Sequence, residues 1–166
     1  MSGVLELDEE GYLNLLNTII VNRLGDAVDI ELFHDEDRVK ELVAEAHNYN
    51  VVVIMSNHDF EKVPAKYVIE FRLKKMAALG ADVPKLACMP HNAKDVLTLL
   101  SATNEVNEAI DNPLITMAMG DIGKVTRIAG QVFGSSLSFG AVGKTSAPGQ
   151  LSIDDLRNAE NYLEIK

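Results

Sequence analysis

Apolar positions along this chain recur with two alternating periods. Residues 8–24 carry Leu13, Leu16, Ile19, Ile20 and Leu24 at helical spacing, with Gly25 as a stop. Residues 27–33 then alternate, Val28, Ile30 and Leu32 on one side and Asp29 and Glu31 on the other, which predicts a strand. Asp35 is placed to cap a helix whose Val39, Leu42, Val43 and Ala46 follow i, i+3, i+4, i+7. The run Val51-Val52-Val53-Ile54 reads as a strand buried on both faces, and a helix opens at Pro64 and stops at Gly80 with Ile69, Leu73 and Met76 inward.

The second half repeats the theme. A strand over 84–89 precedes a helix that begins at Asp95 and carries Val96, Leu99, Leu100 and Thr103. A strand over 114–119 turns at Gly120 and Gly123 into a helix with Val125, Ile128, Ala129 and Val132. Leu137–Val142 reads as a last strand, followed by a loop of small residues from Gly143 to Gln150 and a final helix capped by Ser152. Strand starts near 27, 51, 84, 114 and 137 match the spacing of parallel β-α-β units in a single domain, residues 1–166. Such units form either an open sheet or part of an eight-stranded barrel, and a complete barrel takes about 250 residues. The fold class is therefore α/β, a partial TIM-type barrel of about five of eight strands.

Composition narrows the function. A net charge of −10 argues against nucleic acid, which wants a basic face. The chain has no apolar run of membrane-spanning length, and Met1-Ser2-Gly3 does not read as a signal peptide. Cys88, a single cysteine, has no internal disulfide partner, which points to a reducing cytoplasm.

Chemistry collects at the C-terminal ends of the strands, where parallel α/β folds place their sites. His58 follows the Val51 strand, Asp29 and Glu31 lie in the first strand, and Lys85 lies in the third. A lysine beside Leu86, Ala87 and Met89 loses hydration, which favours the neutral amine that Schiff-base chemistry requires. The plainer alternative is a Lys85 that only starts the strand after Pro84 and snorkels into water. His58 suits proton transfer near neutrality, with Asp29 or Glu31 to orient it. Arg127 suits bidentate capture of a carboxylate, or is a helix-surface charge. Ser146 and Gln150 flank the turn Pro148-Gly149, Met117 and Met119 look like packing residues, and His47 and His91 like surface histidines. Neither metal-ligand spacing nor a Gly-rich phosphate loop appears.

Four motifs in order, Ser56-Asn57-His58-Asp59-Phe60, Pro84–Pro90, Met117-Ala118-Met119 with Thr126-Arg127, and Ser146–Gln150, resemble type I 3-dehydroquinate dehydratase over essentially the whole chain. The resemblance implies a (β/α)8-barrel lyase of the shikimate pathway that dehydrates 3-dehydroquinate to 3-dehydroshikimate without metal or organic cofactor. It implies that Lys85 forms an imine with the substrate ketone and that His58 moves the α-proton to the departing hydroxyl. Arg127 would hold the carboxylate, Ser146 and Gln150 would bond substrate oxygens, and Met117, Met119 and Phe139 would line the pocket. Asp29 would orient His58.

Members of that family carry three more strands ahead of the opening helix, with a Glu-x-Arg and a Phe-Arg pair that residues 1–26 do not replace. Two expectations follow. The chain is a lyase weakened by loss of part of its substrate clamp, or it is an inactive barrel piece that self-associates, as a dimer or larger species, or captures an N-terminal fragment. The second expectation rests on unpaired strand edges and an apolar interior open to water.

Overall fold

The computed structural model describes residues 7–163, so Met1-Ser2-Gly3 lie outside the described residues. Helix α1, Glu9–Val21, leads into strand β1, Ala27–Glu31. Helices α2 (Glu36–Asn48), α3 (Lys66–Ala78) and α4 (Ala93–Asn107) then connect β1 to β2 (Val52–Asp59), β3 (Val83–Cys88) and β4 (Ile115–Ala118) in turn. Helix α5, Gly120–Ala129, runs into a 3-10 turn at Gly130–Phe133, and α6, Ile153–Leu163, follows the last loop.

Local chemistry explains most boundaries. Asp8 caps α1 by accepting from the Gly11 N–H at 2.8 Å, and Asp35 caps α2 through Arg38 at 3.0 Å. The cap of α4 is Asn92 and not Asp95: Asn92 accepts from the Asp95 N–H, and the Asp95 carboxylate reaches back to the His91 N–H. Helix α1 ends before Leu24, because Arg23 takes a left-handed φ of 51°, and Leu24 is left 69% exposed.

The four strands among the described residues are all parallel and stand in chain order, β1-β2-β3-β4. Sequential order without reversal is the arrangement of a barrel arc; a doubly wound sheet would contain a switch point. The main core fills one side only, where Val28, Ile30, Val53, Met55, Leu86 and Cys88 meet Ile20, Val39, Ile69, Leu73 and Leu99 from the helices. The other side carries Asp29, Glu31, Ser56, His58 and Lys85, with a small apolar cluster of Ala87, Ile115 and Met117.

This one-sidedness corrects two sequence expectations. The Val51 run is not buried on both faces: Val51 and Val53 are buried, while Val52 is exposed and Ile54 half-buried. Nor is the second face an apolar interior, since acids, a histidine and a lysine dominate its upper half.

The expected fifth strand does not form. The segment Leu137–Val142 forms no ladder with β4; just before it Ser135 bridges Leu114, Ser136 N–H donates to Leu114 O at 2.7 Å, and the Thr116 N–H donates to Ser135 Oγ at 3.0 Å. Its later bonds go to residues 151–153, with Ala141 N–H on Leu151 O at 2.7 Å and Ile153 N–H on Ala141 O at 3.0 Å. Gly140 sits in its middle, where a side chain would run into Ile153. A glycine there weakens a strand and admits a close neighbour.

Helix α5 is also turned differently from its apolar pattern. Val125 and Val132 are exposed, and the buried face is Gly123, Thr126 and Arg127. Gly123 has no room for a Cβ against the Ala118 backbone, and Thr126 Oγ1 accepts from the Ala118 N–H at 2.8 Å. This contact anchors the start of α5 on the end of β4 and aims Arg127 at the upper rim of the sheet.

Candidate active site

The strands carry the site at their C-terminal ends. Register places Glu31 and Lys85 level with Ser56, one on each side of it, and His58 one same-face step further along β2. Asp29 is one same-face step behind Glu31. Five polar side chains therefore share one face over three successive levels of the sheet.

They form two couples. His58 Nδ1 lies 2.5 Å from Glu31 Oε1. An ionised carboxylate can only accept, so Nδ1 carries a proton, and in the neutral imidazole Nε2 then keeps the lone pair. Lys85 Nζ donates to Asp29 Oδ2 at 2.7 Å, and Ser56 Oγ donates to Asp29 Oδ1. The Lys85 side chain is 13% exposed, with its Nζ 5.5 Å from the centre of the Phe139 ring.

This pairing corrects the expectation that Asp29 orients His58. Both acids point to the same face, but Glu31 stands a level higher and has one more methylene, so it reaches the imidazole. The shorter Asp29 stays beside Lys85. Lys85 Nζ accordingly sits against a carboxylate and not among apolar neighbours alone.

A cavity of about 260 Å³ opens above these couples. His58 and Lys85 form its floor, with Met117, Met119 and Phe139 as apolar walls. Arg127, Ser146 and Gln150 close its upper side. Phe60, to which sequence reasoning assigned no role, also lines it, its ring 5.9 Å from that of His58 and nearly parallel at 14°. The signal was present: Phe60 is two residues after His58, and so on the same side of the chain.

Arg127 is 3% exposed, with one guanidinium nitrogen 3.5 Å from Met117 Sδ and another 3.3 Å from the Pro148 carbonyl. Its Nε is buried without a hydrogen-bond partner among the described residues. Burial holds its pKa below the usual arginine value. Ser146 and Gln150 bond each other, Ser146 N–H and Oγ donating to Gln150 Oε1 at 2.7 and 3.1 Å. The loop that carries them is docked by the Gly120 N–H on Pro148 O at 3.2 Å. A larger cavity of about 340 Å³ lies behind Arg127, against α6, but no nucleophile–base pair lines it. The smaller one is lined by both His58 and Lys85.

The chain is similar to proteins of one known family. A family model described as type I 3-dehydroquinase matches residues 1–166. A 3-dehydroquinate dehydratase of Lactiplantibacillus plantarum is 53% identical over 163 residues, 98% of this chain and 65% of that protein. One of Listeria welshimeri is 50% identical over 161 residues, covering 97% and 64%. The chain thus spans about 65% of the length of the curated relatives it matches. Among solved structures, a type I 3-dehydroquinate dehydratase of Clostridium difficile with covalently modified comenic acid superposes with a TM-score of 0.91 at 45% identity. That match covers 98% of this chain and 64% of the other. The Geobacillus kaustophilus 3-dehydroquinate dehydratase gives 0.93 at 36% identity, over 98% and 63%.

Proposed function

Because the chain belongs to the type I 3-dehydroquinase family, we propose that it dehydrates 3-dehydroquinate to 3-dehydroshikimate through an imine on Lys85. The observation that carries this reading is the shared cavity. Lys85 and His58, on adjacent strands, face one pocket with a buried arginine at its upper side.

The chemistry follows from those positions. An imine at the substrate ketone draws electrons and acidifies the neighbouring C–H. His58 Nε2, the nitrogen left unprotonated by the Glu31 contact, takes that proton and returns it to the departing hydroxyl. Arg127 holds the substrate carboxylate, exchanging weak bonds to a thioether and a lone carbonyl for charge-assisted ones. Ser146 and Gln150 turn from each other to substrate oxygens. Met117, Met119 and Phe139 shield the imine from water. The Clostridium difficile relative is described with covalently modified comenic acid, which supports covalent chemistry as part of this reading. No metal or organic cofactor enters this scheme.

The test is absorbance of the conjugated product with 3-dehydroquinate as substrate, alongside borohydride capture. Wild type should yield product and a stable mass adduct on Lys85, and Lys85→Ala should yield neither. An adduct on another residue, or product formation that survives Lys85→Ala, would refute the scheme.

A second reading has one observation in its favour. Among the described residues β1 pairs only with β2, which leaves its other edge open. A second copy or a complementing strand-bearing segment would cover that edge by main-chain pairing. Sedimentation of a compact monomer at micromolar concentration would exclude self-association.

A further inference from the structure

We infer that Asp29 is the proton acceptor that readies Lys85 for attack on a carbonyl, with the buried Ser56 as its positioning residue. The inference deepens the imine reading above and depends on Lys85 being the nucleophile.

An ammonium has no lone pair, so Lys85 must give up a proton before it can add to a ketone. Among the described residues, the hydrogen-bond acceptor of its Nζ is Asp29 Oδ2, at 2.7 Å. His58 is a different couple: its Nδ1 faces Glu31. Asp29 is held in a specific pose. Ser56, 0% exposed and directly opposite Lys85 in the β2–β3 register, donates to Oδ1 and thereby leaves Oδ2 for the amine. Phe139 stands beside the nitrogen as a third wall.

The step balances. One proton passes from Nζ to Oδ2, leaving a neutral amine and a carboxylic acid. The nitrogen lone pair forms the N–C bond while the carbonyl π pair moves onto oxygen, which takes a second proton from that nitrogen. Asp29 then returns its proton to the resulting hydroxyl, the C–O bond breaks, and water leaves. The third proton stays on the iminium, and Asp29, a carboxylate again, lies beside the cation it helped to form.

The experiment uses the 166-residue chain, two carbonyl probes, and peptide-resolved mass spectrometry. Glyoxylate with cyanoborohydride as hydride donor reports the reactivity of the Lys85 amine alone, with the other lysines as internal references. 3-Dehydroquinate with borohydride reports the dehydratase reading. At neutral pH, Asp29→Asn should slow glyoxylate capture at Lys85 by about 10²-fold or more, the lower end of the range for a lost general base. Added formate should recover part of the rate in Asp29→Ala. Ser56→Ala should lower the maximal rate by about tenfold, the lower worth of one bond to a charged acceptor, at an unchanged half-saturating glyoxylate concentration. If Asp29 is only a counter-ion, its removal frees the amine, and equal or faster capture in Asp29→Asn overturns the inference. So does a wild-type Lys85 no more reactive than the reference lysines. Asp29-dependent capture of glyoxylate without capture of 3-dehydroquinate would refute the dehydratase reading and leave this inference standing.

Discussion

Replacing Arg127 by methionine should separate folding from binding. The guanidinium is almost fully buried, yet its contacts are one thioether at 3.5 Å and one carbonyl at 3.3 Å, and its Nε has no partner among the described residues. Thioether sulfur is a weak acceptor, so most of the lost hydration is not recovered. Exchanging a poorly compensated buried charge for an apolar side chain of similar length stabilises by about 1–4 kcal/mol in comparable cases. The two contacts that do exist place the expectation at the lower end, about 1–2 kcal/mol. With a urea dependence of about 2 kcal/mol per molar, the unfolding midpoint should rise by about 0.5–1 M. Ligand binding should move the other way. Two charge-assisted bonds to a carboxylate are worth about 3–6 kcal/mol together, so affinity for 3-dehydroquinate should fall by about 10²-fold or more. Urea titration followed by circular dichroism, and calorimetric binding to a Lys85→Ala background, give the two numbers. A lower midpoint in Arg127→Met would show that the arginine is a structural residue and that the reasoning about its partners is wrong.

Three other outcomes are expected. Gly123→Ala should cost about 1–3 kcal/mol of stability, because the added methyl meets the Ala118 backbone; a thermal midpoint equal to wild type would contradict the packing of α5 on β4. The Glu36 carboxyl is lowered to about 2, chiefly by hydrogen bonds from Lys40 and Lys75. A depressed carboxyl gives stability that is present above its ordinary value and lost as pH falls toward 2. Wild type should therefore lose more stability between pH 5 and 3 than Glu36→Gln, with the difference shrinking in molar salt. Finally, burial pushes the Cys88 thiol up to about 12, so a thiol reagent should leave it untouched at neutral pH until urea unfolds the chain.

How far the sequence could be read depended on which force set each feature. Alternating periods located the four strands and the helices that follow them, though not the end of α1 or the start of α4, because burial against one layer imposes period 2 on Val28–Leu32 and period 3.6 on Val39–Ala46. The likeness of four ordered motifs brought His58, Lys85, Arg127, Ser146 and Gln150 together before any coordinates did. Interactions that depend on register were not legible. Whether Asp29 or Glu31 meets His58 turns on a single level of the β1–β2 pairing, and nothing in the local pattern fixes that. Leu137–Val142 has the composition of a strand, but its hydrogen bonds are taken by residues 151–153. The inward face of α5 misled for a related reason: glycine and threonine were selected for close backbone approach, which hydrophobicity does not register.

The division of labour across the sheet has a further consequence. Were any strand to slide against its neighbour by a single residue, its side chains would exchange sides. Asp29, His58 or Lys85 would be driven into the greasy layer beneath the helices, and Val28, Met55 or Leu86 would be thrust into the pocket. Misalignment would thus be penalised twice, by charges deprived of water and by oils exposed to it. The very groups placed to act on a substrate also serve as proofreaders of the fold, and variants that neutralise them should be more tolerant of mispaired strands even where the native state itself is no less stable.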